Sequence, residues 1–259
     1  RVNPVTGEFP TVTAQQVYEE YLFQYDNPQS PLDANWTLVG PSSSGSGYAG
    51  LGRLNCINFH PSNTNTYWVG AASGGIWATT NNGSTWTCLN NNTGVLAVSD
   101  IAIPSDYASS NTIYIATGDK DHWDNRSIGV LKSTNGGNTW SATGISYNIA
   151  DGKMFNRLLI SPTDTQTIIA ATSNGVYKTT NGGTTWSTQL TSHNFIDMEY
   201  KPGDFNTLYG STTGGYIYVS TNGGGSWTQA YYSSSARRIE LGVSPNQPSY
   251  VYAIAAGSN

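Results

Sequence analysis

An eight-residue stretch that reads Asp-Lys-Asp-His-Trp-Asp-Asn-Arg is the part of this sequence best equipped for chemistry. Asp119, Asp121 and Asp124 follow a D-x-D-x-x-D spacing, which supplies the hard oxygen ligands that calcium prefers. His122 and Trp123 lie between these acids, and the indole ring offers a platform for a sugar whose hydroxyls the carboxylates would bind. A solvated loop, held by its own hydrogen bonds, explains the same residues. All three interpretations stay open at this stage.

A second set of reactive side chains belongs to five short segments that end at or near a proline-like stop. Each segment carries an apolar residue, preceded directly by Cys56, Asp100, Arg157, Asp197 or Glu240. Because side chains alternate along a strand, these five point away from the apolar set. They predict a ring of mixed charge at the mouth of a central channel, with Arg157, Asp197 and Glu240 as candidate ligand contacts. Ion pairing between neighbouring sheets explains the same charges.

Aromatic residues in the loops that enter these segments predict a stacking surface on the same face. They are Tyr147, Phe155, His193, Phe195, Tyr231 and Tyr232. Two signatures of enzymes are missing from the sequence: no His/Cys cluster has zinc spacing, and no G-x-S-x-G elbow occurs. The sequence therefore offers surfaces for binding more readily than a catalytic centre.

The elements that position these residues are marked by a phrase that occurs four times. Its common form is Ser/Thr-Thr-Asn-x-Gly-x-Ser/Thr-Trp. Asn bonds nearby amides, Gly supplies positive φ, and Trp buries a large ring, so the phrase predicts a turn between strands. Four equivalent copies indicate a structural role. The predicted turn residues are Asn81, Gly83, Trp86, Asn135, Gly137, Trp140, Asn181, Gly183, Trp186, Asn222, Gly224 and Trp227.

Each copy belongs to a longer unit with four short, β-rich segments. Units of roughly 40 to 50 residues with four strands are typical of β-propeller blades. The sequence therefore predicts an all-β fold, a β-propeller of four-stranded antiparallel blades over residues 36–259. The predicted blades span about 53–92, 96–145, 154–191 and 194–231, with a partial blade at 236–259.

The repeated phrase resembles the Asp-box, S-x-D-x-G-x-T-W, of neuraminidase-type (BNR) repeats, sortilin-type receptors and family 74 glycoside hydrolases. Asn replaces the acid in all four copies, and in those families the box is a turn between the third and fourth strands. Gly-Ala-Ala-Ser-Gly-Gly-Ile-Trp at 70–77 and Ile-Ala-Thr-Gly-Asp-Lys-Asp at 115–121 are similar to large propeller proteins exported by type IX secretion systems. The resemblance covers residues 53–257 and implies a secreted or bacterial cell-surface protein.

Three functions follow from this resemblance. One is a binding or scaffold module whose partners are a glycan or protein ligand, the rest of its own chain, or a secretion or surface complex. Another is a glycoside hydrolase with carboxylates partly outside this chain, although Ala72 stands where family 74 enzymes carry a catalytic Asp in R-T-D-V-G-G-A-Y. The last is a sortilin-like peptide receptor. A sialidase is disfavoured because its F/Y-R-I-P motif is absent. No cofactor is expected besides the possible calcium at Asp119, Asp121 and Asp124.

Composition narrows the partners further. Only 10% of residues are charged and the net charge is −5, without a basic stripe, so no nucleic-acid partner is expected. No apolar run is long enough to span a bilayer. Cys56 and Cys88 are predicted as free thiols, because the first and fourth strands of a sheet lie about 14 Å apart and a disulfide tolerates at most about 7 Å.

The two ends of the sequence carry separate predictions. Residues 1–35 form a leader with one helix, which a T-x-x-Q capping box at Thr13 opens and Pro28 and Pro31 end. Residues 35–38 match the opening of a fourth strand. The four and a half blades fall between the ring sizes of closed propellers, commonly 4 to 8 blades. We therefore expect the chain to be part of a larger ring that continues past Asn259.

Overall fold

The computed structural model describes residues 52–121, 125–191 and 193–257. The predicted leader helix, the strand predicted at residues 35–38, and His122, Trp123 and Asp124 lie outside these described residues. Among the described residues, regular structure is almost entirely β-strand, with a single-turn helix α1 at Tyr107–Ser110 and a 3-10 turn at Ile149–Asp151. No helix in the described part is long and apolar enough to cross a membrane.

In the described residues, eighteen strands form four four-stranded sheets and one two-stranded sheet, and within each sheet every strand pairs antiparallel with the next along the chain. Blade 1 contains β1 (Leu54–Phe59), β2 (Tyr67–Ala71), β3 (Gly75–Thr79) and β4 (Thr87–Cys88). Blade 2 contains β5 (Val98–Ala102), β6 (Ile113–Thr117), β7 (Gly129–Ser133) and β8 (Ser141–Ser146). Blade 3 contains β9 (Phe155–Ile160), β10 (Ile168–Thr172), β11 (Gly175–Thr179) and β12 (Ser187–Thr191). Blade 4 contains β13 (Phe195–Lys201), β14 (Asp204–Thr212), β15 (Tyr216–Ser220) and β16 (Thr228–Tyr232). Blade 5 contains β17 (Ala236–Ser244) and β18 (Gln247–Gly257).

The first strands of successive blades contact one another, so they line the axis of a β-propeller. The loops between second and third strands, together with the fourth-to-first connections, share one end of the blades, which we call the loop face. The opposite end, which carries the repeated turns, is the turn face. Cys56 lies in β1 and Cys88 in β4, and both thiols are free.

Glycine opens the third strand of the first three blades, and its backbone conformation requires it. Gly75, Gly129 and Gly175 have φ of 90°, 112° and 121°, a region that residues with a Cβ rarely adopt. At Gly175 an added Cβ would lie 1.9 Å from the carbonyl oxygen of Leu190 in the outer strand. The third strand therefore leaves the loop face at a sharp angle that only glycine permits.

Three apolar cores lie between neighbouring blades. Trp68 and Ile76 of blade 1 pack with Ile101 of blade 2, and two further cores join blades 2 and 3 and blades 3 and 4 in the same way. The apolar set predicted on the inner strands, represented by Ile101 and Leu158, is therefore the face that packs on the preceding blade. Burial between blades orients the charged side chains that alternate with this set toward the channel.

Candidate functional site

Asp119 and Asp121 follow β6 of blade 2 on the loop face. The Asp119 N–H donates to the carbonyl oxygen of Asn125 at 2.9 Å, which closes the loop on itself. The Asp119 carboxylate accepts hydrogen bonds from the Arg53 guanidinium and, at 3.4 Å, from Asn55 Nδ2. Its side chain is only 2% exposed. Asp119 therefore fastens the loop to the start of blade 1.

Asp121 joins three blades through two arginines. Arg238 Nη1 of β17 donates to Asp121 Oδ1 at 2.5 Å, and Arg53 Nη1 lies 3.3 Å from Asp121 Oδ2. Arg238 Nε also donates to Glu240 Oε1 at 2.7 Å. We call the five residues Arg53, Asp119, Asp121, Arg238 and Glu240 the channel-mouth network. It connects blades 1, 2 and 5 around one opening.

The electrostatics of Asp121 show that the network favours the charged carboxylate. Partial burial opposes ionisation, but the hydrogen bond from Arg238 and the charges of Arg238, Lys120 and Arg53 outweigh it and lower the pKa of Asp121. The pKa of Arg238 is raised, because its bonds to Asp121 and Glu240 outweigh the effect of its burial. The Asp121 carboxylate is therefore ionised at every pH above the ordinary pKa of an aspartate side chain, which is about 4.

The predicted calcium site does not fit the contacts of the two acids that the structure describes. The oxygens of Asp119 and Asp121 face guanidinium groups, so a cation there would have to displace Arg53 or Arg238. Across the described residues, no group of three or more His, Cys, Asp or Glu side chains is arranged to hold a metal ion. Asp124, the third acid of the predicted set, lies outside the described residues.

A second cluster surrounds Arg157 on the channel wall, within blades 2 to 4. Its guanidinium lies 2.8 Å from Glu199, 3.5 Å from Asp197 and 3.8 Å from Asp100. We call these four residues the channel cluster. Asp100, Arg157 and Glu199 border a cavity of about 280 Å³ that inner-strand residues of blades 1 to 4 line, among them Asn58 and Tyr200. One cation faces two acids there, so the cavity wall carries an excess of negative charge when all three are ionised.

Two acids of this cluster hold neighbouring blades together. Asp100 Oδ2 accepts the Leu158 N–H of blade 3 at 2.7 Å, and Asp197 Oδ2 accepts the Leu241 N–H of blade 5 at 2.8 Å. Both side chains are nearly inaccessible to solvent. Of the two interpretations of the predicted charged ring, these contacts favour pairing between blades for Asp100 and Asp197. Arg157 and Glu199 are the members that retain access to the cavity.

The pKa values of Asp100 and Glu199 shift in the opposite direction to that of Asp121. Burial raises the pKa of Asp100, against the opposing effects of Arg157 and the Leu158 N–H. Burial also raises the pKa of Glu199, although its ion pair with Arg157 opposes this. The charge of Asp100, followed by those of Glu199 and Asp197, raises the pKa of Arg157 despite its burial. Arg157 is therefore the fixed charge of the cluster, and Asp100 and Glu199 are the acids whose pKa burial raises.

Three charged residues of these sites were missed by the sequence prediction. Arg238 and Glu199 each stand two positions from a predicted residue, Glu240 or Asp197, and the two-residue period of a strand places such pairs on one face. That period was an available signal for both. Arg53 precedes β1, and its role depends on a contact 66 residues away in sequence, for which no local pattern exists.

The predicted aromatic surface is only partly correct. Phe155 and Phe195 are fully buried in the cores between blades and offer no stacking surface, because they begin inner strands rather than lie in loops. Tyr231 and Tyr232 are about half exposed at the end of β16, and Tyr232 stacks on Tyr216 with ring centroids 4.5 Å apart. His193 contacts Tyr216 edge to face at 4.9 Å. Tyr147 contacts the Phe155 ring in the neighbouring core. Of the six predicted aromatic residues, Tyr231 and Tyr232 of blade 4 are the exposed ones.

The repeated phrase lies between the third and fourth strands of each complete blade and is built in one way each time. In blade 3, Asn181 Oδ1 accepts the Thr185 N–H at 2.9 Å and the Thr179 hydroxyl at 2.9 Å. Asn181 Nδ2 donates to Thr185 Oγ1 at 2.8 Å, and the Gly183 N–H donates to Thr179 Oγ1 at 3.1 Å. The other three turns repeat these bonds around Asn81, Asn135 and Asn222. These side chains satisfy backbone groups within their own turn.

The tryptophans of the repeated phrase have different surroundings. Trp140 Nε1 donates to the carbonyl oxygen of Leu89 in blade 1 at 2.8 Å, which ties blade 2 to blade 1. Trp86 packs edge to face on Tyr67 of its own blade. Trp186 and Trp227 join the two cores between the later blades, and the N–H of each ring has no hydrogen-bond partner in the described structure. The common contribution of these rings is therefore packing.

The glycoside hydrolase interpretation requires two accessible carboxyl groups, one of them protonated to act as an acid. Asp119 is sealed by Arg53, and the lowered pKa of Asp121 keeps it ionised, so neither supplies that proton. Ala72 contributes only its backbone, whose N–H donates to the Arg53 carbonyl oxygen at 3.2 Å. The described residues of the loop face therefore form an ion-pair network, without a pair of free carboxyl groups.

Comparisons with known proteins establish the fold. No protein-family model and no curated protein matches the chain. An ancestral GH74 enzyme aligns with a TM-score of 0.62 at 23% identity, over 75% of this chain and 26% of that one. The GH74 enzyme of Niastella koreensis aligns with a TM-score of 0.59 at 23% identity, over 78% and 35%. YCF48 bound to D1 peptide aligns with a TM-score of 0.52 at 19% identity, over 79% and 61%.

At these identities the likeness concerns the fold alone. The chain spans between about a quarter and three fifths of the length of these proteins, which share a β-propeller architecture. The chain is a β-propeller module.

Proposed function

We propose that this chain is the binding module of a secreted or bacterial cell-surface β-propeller, which recognises a protein partner at the opening of its channel on the loop face. The channel-mouth network carries this proposal. The chain has 11 Lys and Arg and 16 Asp and Glu residues, and nine of these 27 form the channel-mouth network and the channel cluster. Such a concentration in a chain poor in charge supports a role beyond solubility.

The exposure of the network members suggests which of them contact a partner. The side chains of Arg53, Arg238 and Glu240 are 40%, 41% and 42% exposed, whereas Asp119 is covered. Cations and an anion around one opening match an extended peptide that carries charges of both signs, as in other electrostatically complementary interfaces. The peptide bound to YCF48, a protein of the same fold, is consistent with a protein ligand. A sortilin-like receptor is one form of this proposal.

A selection experiment with a matched pair of variants tests the proposal. The immobilised chain is screened against a phage-displayed peptide library and a glycan array, and the affinities of selected ligands are measured by surface plasmon resonance. Arg238→Ala removes a network member, and Arg237→Ala removes its exposed neighbour in β17, which has no ion pair with a described residue. We expect Arg238→Ala to weaken peptide binding about tenfold or more and Arg237→Ala to leave it unchanged.

Two results would contradict the proposal. Equal affinities of the two variants would show that the selected peptides bind elsewhere. If the chain selects no peptide at all, the proposal of a protein partner is contradicted. The affinity of a true network ligand also falls as salt rises, because the exposed charges are screened.

A glycan is the second candidate ligand, and the exposed tyrosines of blade 4 favour it. Tyr232 stacks on Tyr216, and Tyr231 lies beside it in β16, so the end of this blade presents aromatic rings with polar tips. Binding on the glycan array that Tyr232→Ala abolishes and Arg238→Ala leaves unchanged would replace the protein ligand by a glycan.

A further inference from the structure

The chain contains five Asn-Gly pairs, a sequence prone to spontaneous loss of the side-chain amide. The glycine nitrogen attacks Cγ of the preceding asparagine, and its proton leaves with the side-chain amide as ammonia. The product is a five-membered succinimide ring, which water opens at either carbonyl to give aspartate or isoaspartate. Glycine permits the attack because it has no side chain to hinder the approach. The five asparagines are Asn82, Asn135, Asn174, Asn181 and Asn222.

Three of these asparagines are immobilised by the repeated turns. Asn135, Asn181 and Asn222 each accept a backbone N–H and a hydroxyl through Oδ1, and each donates from Nδ2 to a second hydroxyl. The attacking nitrogen is engaged as well. The N–H groups of Gly136, Gly182 and Gly223 donate to carbonyl oxygens of the neighbouring turn at 2.9 Å each. Both reacting groups must leave these bonds before the ring can close.

The other two asparagines have free side chains. Asn82 and Asn174 are exposed, and neither side chain forms a hydrogen bond with any described residue. Asn82 occupies the turn position that glycine holds in the other three copies, with a left-handed φ of 53°. Asn174 precedes Gly175 in the turn between β10 and β11 on the loop face. Their Cγ atoms can therefore rotate toward the following nitrogen without breaking a side-chain bond. At Asn82 the attacking Gly83 N–H still donates to Thr79 Oγ1 at 2.9 Å, so ring closure there requires the loss of that bond, whereas each shielded asparagine must lose its side-chain bonds as well.

We propose that Asn82 and Asn174 are the deamidation sites of the folded chain and that the repeated turns shield Asn135, Asn181 and Asn222. A shielded asparagine reacts only from a locally opened turn, so its rate is reduced by the small fraction of time that the turn is open. Isoaspartate adds an atom to the main chain, and at Asn174 this would disturb the β10–β11 connection and add a negative charge to the loop face. This inference does not depend on the proposed ligand.

Peptide mapping by mass spectrometry tests the inference directly. The folded chain is incubated at pH 8 and sampled over time, with the same chain in concentrated urea as the reference for intrinsic reactivity. We expect Asn82 and Asn174 to deamidate about tenfold or more faster than each shielded asparagine in the folded chain. In urea all five rates converge, because glycine follows each asparagine. Either residue reacting no faster than the shielded three when folded would overturn the proposal.

A substitution within one turn separates shielding from overall folding. Thr185→Val keeps the shape of the side chain but removes the hydroxyl that Asn181 Nδ2 bonds at 2.8 Å. We expect the deamidation rate of Asn181 alone to rise, while Asn135 and Asn222 in the same molecule stay slow and serve as internal controls. An unchanged rate at Asn181 would show that these side-chain bonds do not shield it. A rise at all three would show general opening, which contradicts local shielding.

Discussion

At the scale of single residues, the asparagine of each repeated turn is defined by three bonds rather than by its charge. Two use Oδ1 as an acceptor, and the third runs from Nδ2 to a hydroxyl, a group that either donates or accepts. An aspartate keeps the first two bonds and receives the third from the reversed hydroxyl. The geometry therefore accommodates the acid of the Asp-box phrase that this sequence resembles.

Substitutions of Asn181 separate these contributions. We expect Asn181→Asp to unfold within about 0.5 kcal/mol of the wild type, as is usual for surface changes without lost contacts. Asn181→Ala leaves the Thr185 N–H without its partner and should cost about 1–3 kcal/mol. Urea denaturation followed by tryptophan fluorescence measures both. An Asn181→Asp variant as unstable as Asn181→Ala would show that the amide itself is required.

Asp121 gives a prediction about pH. Its folded pKa is lowered, so its ion pairs stabilise the fold above its unfolded pKa of about 4 and lose that effect as pH falls through the lower folded value. Asp121→Asn removes this dependence. We expect the wild type to lose its stability advantage over Asp121→Asn between about pH 4 and pH 2, as thermal unfolding would show. A difference that persists at pH 2 would contradict the ion pairing.

At the scale of elements, lysines on the third strands of blades 2 and 3 fasten each of these two blades to the turn of the next. Lys132 Nζ of β7 donates to the Gly182 carbonyl oxygen at 3.2 Å, and Lys178 Nζ of β11 donates to Gly223 at 2.7 Å. Ala78 and Val219 hold the corresponding places in β3 and β15, so blades 1 and 4 lack this contact. The lysine contact therefore joins blade 2 to blade 3 and blade 3 to blade 4, in the middle of the row of described blades.

Replacing these lysines tests their contribution to packing between blades. Lys178→Met keeps the aliphatic length of the side chain but removes the ammonium, and we expect it to lower the free energy of unfolding by about 1 kcal/mol. The reciprocal change is Val219→Lys. It removes no hydrogen bond between an ammonium group and a carbonyl oxygen, so it serves as the control for a change of charge at the same position of the repeat. Chemical denaturation measures both variants. No effect of Lys178→Met would assign the contact to the solvated surface.

The elements also show how far the sequence could be interpreted. The repeated phrase with Trp was recognised because its residues recur with identical spacing, and it located the third and fourth strands. A second repeated turn, between first and second strands, was missed. Asn63, Asp164 and Asp204 each accept the N–H two residues later through Oδ1. Each also pairs with the threonine three residues later. The first residue of this turn is Asn in one blade and Asp in two others, so its sequence pattern is weaker than that of the repeated phrase with Trp.

The site was less predictable than the fold for a physical reason. Asp119, Asp121, Arg157, Asp197 and Glu240 were identified as unusual charges on suitable strands and loops. Their partners depend on the arrangement of blades around the axis. The Asp121–Arg238 contact joins residues 117 apart in sequence, and no local period encodes that separation. The buried positions of Phe155 and Phe195 were likewise set by packing between blades.

At the scale of the whole molecule, both ends of the arc expose residues that occupy buried positions elsewhere in the repeat. Ile57 is 52% exposed, whereas its counterparts Ile101 and Leu158 are buried against the preceding blade. Tyr252 of β18 is 59% exposed, and its counterpart Trp68 is buried against the following blade. The two outer faces are thus the two complementary halves of one blade-to-blade interface.

Substitutions at equal positions of the repeat test this account of the arc. Leu158→Ala opens a cavity between blades 2 and 3 and should cost about 2–5 kcal/mol. Ile57→Ala removes the corresponding side chain where no blade covers it and should cost less than about 1 kcal/mol. Equilibrium denaturation of this chain compares them. Equal losses would contradict the assignment of Ile57 to an uncovered face.

The central claim, that the loop-face opening is the binding surface, is most directly tested by hydrogen–deuterium exchange. Exchange is measured for the chain alone and with a saturating peptide from the library selection. We predict slower exchange at residues 118–121 and 236–240, which carry the channel-mouth network, and no change in the repeated turns on the opposite face. Protection of the turn face, with the loop face unaffected, would contradict the claim.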